Sequence, residues 1–63
     1  MEDQNIEPGR YVAKTNNSEI WNVVIEVFGQ YPFFKVDGWD FVNECRIRDR
    51  SQLSEIGEKI KSY

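Results

Sequence analysis

The residues of this chain best equipped for chemistry are three arginines in the run Cys45-Arg46-Ile47-Arg48-Asp49-Arg50. On an extended strand Arg46 and Arg48 share a parity and project from one side, with Arg50 able to continue the row. Such a row can grip phosphates or a partner's carboxylates in bidentate fashion. Arginines beside exposed aromatics can also hold single-stranded nucleic acid, as small barrels do. Glu44 and Asp49 interleave with the row, and the plainer reading is preferred: a solvated edge that discourages sheet-to-sheet association. Tyr31, in a loop, and Tyr63, at the terminus, are the aromatics most open to a partner, although turn packing is the duller explanation for both. Arg46, Arg48, Arg50 and Tyr31 are therefore the candidate partner contacts.

No other combination of residues points to a reaction. The chain has no histidine, the commonest general base and metal ligand, and its one cysteine cannot build a zinc site alone. The carboxylates are scattered over turns and exposed faces, and no glycine-rich phosphate loop or nucleophile elbow is present. Cys45 shares its parity with Phe41 and Ile47 and reads as a small buried hydrophobe, slow to react with thiol reagents. No catalytic residue, cofactor or metal is expected, and the chain reads as non-enzymatic.

The elements that must position these residues are mainly strands. Phe33 to Val42 reads FFKVDGWDFV, and an Asp-Gly pair between apolar runs is a strong hairpin signal. A type I′ turn at Asp37-Gly38 pairs Val36 with Trp39, Lys35 with Asp40, Phe34 with Phe41 and Phe33 with Val42. Val36, Trp39, Phe34 and Phe41 then share an apolar face, and Lys35 and Asp40 form an opposite-charge pair. RYVAKT is a first strand entered through Pro8-Gly9, and a two-residue turn at Asn16-Asn17 would oppose Lys14 to Glu19 and Val12 to Trp21. Ile20 to Gly29 is the central strand, with Trp21, Val23, Ile25 and Val27 on one face. Gly29-Gln30-Tyr31-Pro32 is the next connection. Beyond Asp49, Leu53, Ile56 and Ile60 recur at spacings of three and four, which predicts a helix over about 50–61, opened by an Asp49/Gln52 capping box.

At 63 residues this is one small domain, near the size at which only about 60% of the unfolded chain's surface is buried. The nine aromatics are therefore expected to furnish most of the core. Residues 1–9 read as a flexible acidic arm and 10–63 as the domain, an antiparallel four-stranded meander curled into an SH3-like half barrel with a C-terminal helix. The net charge of −3 arises in residues 1–32, where five acidic groups face two basic ones. A general nucleic-acid binder would show a basic footprint instead. A lone cysteine and an acidic, polar N-terminus fit a soluble cytoplasmic protein without membrane segment or signal peptide.

The pattern GRYVAKT…WNVVIEV…PFFKVDGW…LSEIGEKI resembles short bacterial and phage or prophage proteins of unknown function, which open on a Gly-aromatic strand, continue through a Trp-containing strand and end in an Ile-Gly-x-x-Ile-like tail. Here that tail is Ile56-Gly57-Glu58-Lys59-Ile60, and the likeness spans residues 9 to 60. The resemblance implies a phage or mobile-element origin and a role through binding, and brings no catalytic residues. The expected function is a non-enzymatic interaction module acting on a protein partner or on itself. The alternative is a nucleic-acid-binding accessory protein using the arginine row with Lys59 and Lys61.

Overall fold

The computed structural model describes residues 3–63. The chain forms five strands, β1 (Gly9–Thr15), β2 (Val23–Phe28), β3 (Lys35–Asp40), β4 (Cys45–Ile47) and β5 (Leu53–Ser62), with single 3-10 turns at Asp3–Asn5 and Arg50–Gln52. They make one antiparallel sheet in the order β4-β3-β2-β1-β5, which does not close, since β4 and β5 are not paired. The mainly β class holds, with a fifth strand in place of the expected helix.

That replacement has a local cause. β5 pairs with β1 from Thr15↔Leu53 to Gly9↔Ser62, and the register slips three times on the way. Each slip sets two residues of β5 against one of β1, as a β-bulge does. A bulge shifts the inward parity by one, so Leu53 and Ile56, three apart, both reach the core. A spacing of three therefore appears in a bulged strand as it would in a helix, while Ile60, half exposed, does not continue the stripe. The Asp49/Gln52 capping box does form, the Gln52 side chain accepting from the Asp49 N–H at 3.0 Å, but it opens only one 3-10 turn.

Asp37 and Gly38 are not a turn. Both lie inside β3, where Gly38 pairs with Ile25 on one side and Ile47 on the other. Val36 faces Val27 and Trp39 faces Val24, so the expected pairs of Val36 with Trp39 and Lys35 with Asp40 do not exist. Gly38 is required for space: a Cβ there would collide with the Val24 carbonyl oxygen and lie 2.6 Å from Ile25 Cγ2. The chain reverses elsewhere. Residues 29–34 join β2 to β3, beginning at Gly29 with φ 82°, and residues 41–44 join β3 to β4, with Glu44 at φ 53°. Asn16-Asn17 does turn, the Ser18 N–H donating to the Thr15 carbonyl, but inside a seven-residue connection. Val12 consequently faces Val24, and Lys14 meets Glu55 at 3.7 Å instead of Glu19.

The core lies on one face of the sheet. Val23, Ile25 and Val27 of β2 sit between Tyr11 and Ala13 of β1 and Val36 of β3, closed by Ile47, Leu53 and Ile56. It is an aliphatic core. Tyr11 is its one buried aromatic, its hydroxyl donating to the Glu7 carbonyl at 2.8 Å, and Phe34 packs at its margin. Trp21, Phe28, Tyr31, Phe33, Trp39, Phe41 and Tyr63 are all exposed, against the expectation of an aromatic core. The reason is parity. With Asp37-Gly38 in mid-strand, Val36, Gly38 and Asp40 point inward and Trp39 points out.

Of the arm expected over residues 1–9, Met1 and Glu2 lie outside the described residues. In the remainder, Ile6 is buried in the core and Asp3 takes a bidentate bond from Arg50, at 2.7 and 3.1 Å.

Candidate functional site

The outward residues of the sheet fall into rows across the strands, because directly paired residues project from the same face. One row is apolar. Val12 pairs with Val24 and Val24 with Trp39, which pairs in turn with Arg46 on β4. On the β5 side the row ends at Gly57, over which the Trp21 ring lies so closely that a Cβ on Gly57 would meet its Cζ3 at 2.7 Å and Val12 Cγ2 at 3.1 Å. The Lys14 ammonium stands 4.4 Å from the centre of that ring, a cation–π contact. The sheet thus carries a strip of two valines bounded by a tryptophan at each end.

The neighbouring row is charged. Lys61 of β5 pairs with Arg10 of β1, Arg10 with Glu26 of β2, and Glu26 with Asp37 of β3. Arg10 and Glu26 are joined at 3.6 Å, and Asp37 is held by Arg46 at 3.1 Å. Next to this row, Phe28 stacks on Tyr63, ring centres 6.5 Å apart, and the Tyr63 hydroxyl donates to Glu26. A groove of about 290 Å³ is lined by Trp39 and Phe41 together with Arg10, Glu26, Asp37 and Arg46.

A second concavity, a cleft of about 520 Å³, opens at the end of the sheet where the 16–22 and 41–44 connections meet. Asn16, Asn22, Asn43, Gln52 and Cys45 line it, and Asp40 closes its floor. Asp40 is fully buried: its Oδ1 accepts from the N–H groups of Val42 and Asn43, both at 2.9 Å, and its Oδ2 from Asn43 Nδ2 at 2.8 Å. Burial alone would raise this carboxyl, but the bonds from Asn43, Val42 and Asn22 outweigh it and hold the group below the ordinary aspartate range. These bonds pin the 41–44 connection. The cleft offers amides and a carboxylate already committed to the fold, and among the described residues no group of His, Cys, Asp and Glu is placed to hold a metal.

The four residues singled out from the sequence do not converge. Arg46 lies on the outer face and is tied to Asp37, whereas Arg50 is drawn to Asp3 and to the Leu53 carbonyl at 2.8 Å. Arg48 is exposed between them, and no ion pair to it is found among the described residues. Tyr31 is exposed in the connection after β2, against the segment Gln4–Glu7. Lys59, expected to join the arginines, is bound to Glu7 at 3.2 Å, which raises its ammonium above the ordinary lysine value. Cys45 is exposed where it lines the cleft at the end of the sheet, and the expectation of a buried thiol is reversed. The sequence reading assigned Trp21 and Trp39 to the core and did not single out Arg10 or Glu26. The alternation along β2 already pointed Glu26 outward, and following it into β3 would have placed Trp39 beside it.

Comparison with known proteins brings no match: no family model, no curated protein and no solved structure aligns with the chain. No helix among the described residues is long and apolar enough to cross a membrane.

Proposed function

We propose that the chain is a non-enzymatic interaction module that recognises protein through the outer face of its sheet. The observation that carries this reading is the Trp21-Val12-Val24-Trp39 strip, which stands outside the core beside a row of ion pairs. Large apolar patches rimmed by polar groups mark contact surfaces on soluble proteins, and Trp, Tyr and Arg are the residue types that dominate binding energy. Edge pairing is a weaker alternative. β4 has three residues, and β5 is broken by three bulges and carries Lys59 and Lys61, devices that blunt a sheet edge.

We read the curled sheet as an SH3-like half barrel, supported by the meander from β1 to β4, the 3-10 turn after β4 and the return of β5 beside β1. A cytoplasmic setting and a phage or prophage origin complete the reading, the first supported by the single free cysteine and the second by the resemblance of residues 9 to 60 alone. Nucleic acid fits less well. Arg46, Arg50 and Lys59 are each engaged by a carboxylate, so phosphates would have to displace Asp37, Asp3 and Glu7.

The test is a photo-crosslinking amino acid at position 39, with Ser51, exposed on the 3-10 turn, as the control position. In native cells position 39 is expected to give discrete protein adducts, its own chain included, which position 51 does not give. Adducts with nucleic acid alone, or identical patterns at the two positions, would contradict the proposal.

A further inference from the structure

The outer face carries a charge pattern that specifies its occupant. We propose that a second copy of this chain docks on it face to face, about a twofold axis parallel to the strands and lying between β1 and β2. This rests on the interaction reading above and names the partner.

A twofold interface is made of one patch on both copies, so the patch must complement its own reflection across the axis. With the axis between β1 and β2, β1 lies over the other copy's β2, and β5 over the other copy's β3. The charged row from β5 to β3 is Lys61, Arg10, Glu26, Asp37, in signs two positive then two negative. Reflection sets Arg10 on the second copy's Glu26 and Lys61 on its Asp37. Four opposite-charge contacts result, two from each copy, in addition to the exposed Arg10–Glu26 and Arg46–Asp37 pairs that each copy already holds. The apolar row obeys the same axis: Val12 falls on Val24, and Trp21, seated over Gly57, falls on Trp39. No other axis parallel to the strands does this. One between β2 and β3 would set Glu26 against Asp37, and one along β1 would set Arg10 against itself.

The 27 × 19 × 18 Å extents bound the face at about 500 Å² per copy, below the roughly 800 Å² of a standard interface, so the dimer is expected to be weak and reversible. Lys61 and Asp37 sit three strands apart, roughly 14 Å, too far to pair within one copy. That separation makes the experiment decisive.

Sedimentation velocity across roughly micromolar to millimolar concentrations reads the association, a range matched to interfaces of this size. Wild-type chain is expected to form a reversible dimer. Lys61→Glu and Asp37→Lys are each expected to weaken it about tenfold, since each creates two like-charge contacts. An equimolar mixture of the two variants is expected to recover the wild-type affinity. In the mixed dimer the two introduced side chains, of opposite charge, face each other, and the native Asp37 of one copy faces the native Lys61 of the other. Arg10→Glu mixed with Glu26→Arg gives a second, independent rescue should either of the first variants fold poorly. A chain monomeric at millimolar concentration overturns the twofold pairing, and so does a dimer that neither mixture restores. The interaction reading is then decided separately, by the adducts formed at position 39.

Discussion

Gly38→Asn is expected to unfold the domain or to cost it about 3 kcal/mol or more, the upper range for forcing atoms into a filled interior. The inward position it occupies has no room for a side chain. A Cβ would collide with the Val24 carbonyl oxygen and stand 2.6 Å from Ile25 Cγ2 and 2.8 Å from Ile25 Cα, and two of those atoms are backbone of the central strand. Asparagine is chosen because it separates the two placements of the Asp-Gly pair. In a type I′ turn asparagine accepts a positive φ and is among the preferred residues, so a turn would tolerate the change within a few tenths of a kcal/mol. In mid-strand beside Ile25 it has nowhere to go. A chain of 63 residues has roughly 3–9 kcal/mol of stability in all, so the strand placement predicts loss of the cooperative melt in circular dichroism. An unchanged midpoint would refute it.

The second large effect belongs to Asp40. Asp40→Ala leaves the N–H groups of Val42 and Asn43 and the Asn43 amide without their acceptor, and charge-assisted bonds of this kind are worth about 1.5–3 kcal/mol each in net stability. Because the 41–44 connection is exposed and water can replace part of what is lost, the expected cost is about 2–4 kcal/mol, read as a lowered urea midpoint. Asp40→Asn is expected to recover only part of this, since its amide oxygen can replace one carboxylate oxygen while its amide nitrogen would present hydrogens to the donor at the other. The pH dependence has a definite sign. Hydrogen bonds from Asn43, Val42 and Asn22 hold the folded carboxyl below its ordinary value of 3.8 in spite of burial, so above that value the contribution is fully present. As pH falls below 3.8 the unfolded chain takes up the proton first, and the contribution is lost as pH drops through the folded value. Wild type should therefore lose stability more steeply below pH 3.8 than Asp40→Ala does. Parallel curves would show that the carboxylate is not what pins the turn.

How much of this was legible in the sequence depended on which signal was unique. Val23, Ile25 and Val27 are alternating β-branched residues, and alternation of that kind has one reading, so these three were found on the buried face of the central strand, whereas Trp21, expected beside them, precedes the strand and lies exposed over Gly57. The same holds for Gly29 to Pro32 as a connection and for Asp49/Gln52 as a capping box. The failures came from signals with two physical causes. Asp-Gly marks a hairpin because glycine adopts positive φ, but glycine is also the only residue that fits where another strand's backbone comes close, and at Gly38 the second cause operates. Leu53 and Ile56 carry a spacing of three that one bulge reproduces in a strand, and the exposed Ile60 does not join them. Both errors hid the outer face. A turn at Asp37-Gly38 folds Trp39 onto Val36, whereas a strand through it sends Trp39 and Asp37 outward in register with Val24 and Glu26.

The pairing of β3 in mid-strand is thus the claim from which the outer face, its apolar strip and its charge row all follow. Interstrand nuclear Overhauser effects on isotope-labelled chain test it most directly. The structure predicts contacts from the Gly38 backbone to Ile25 and to Ile47, and from Trp39 to both Val24 and Arg46. Contacts of Val36 with Trp39 and of Phe34 with Phe41, with none from Gly38 to Ile47, would contradict it.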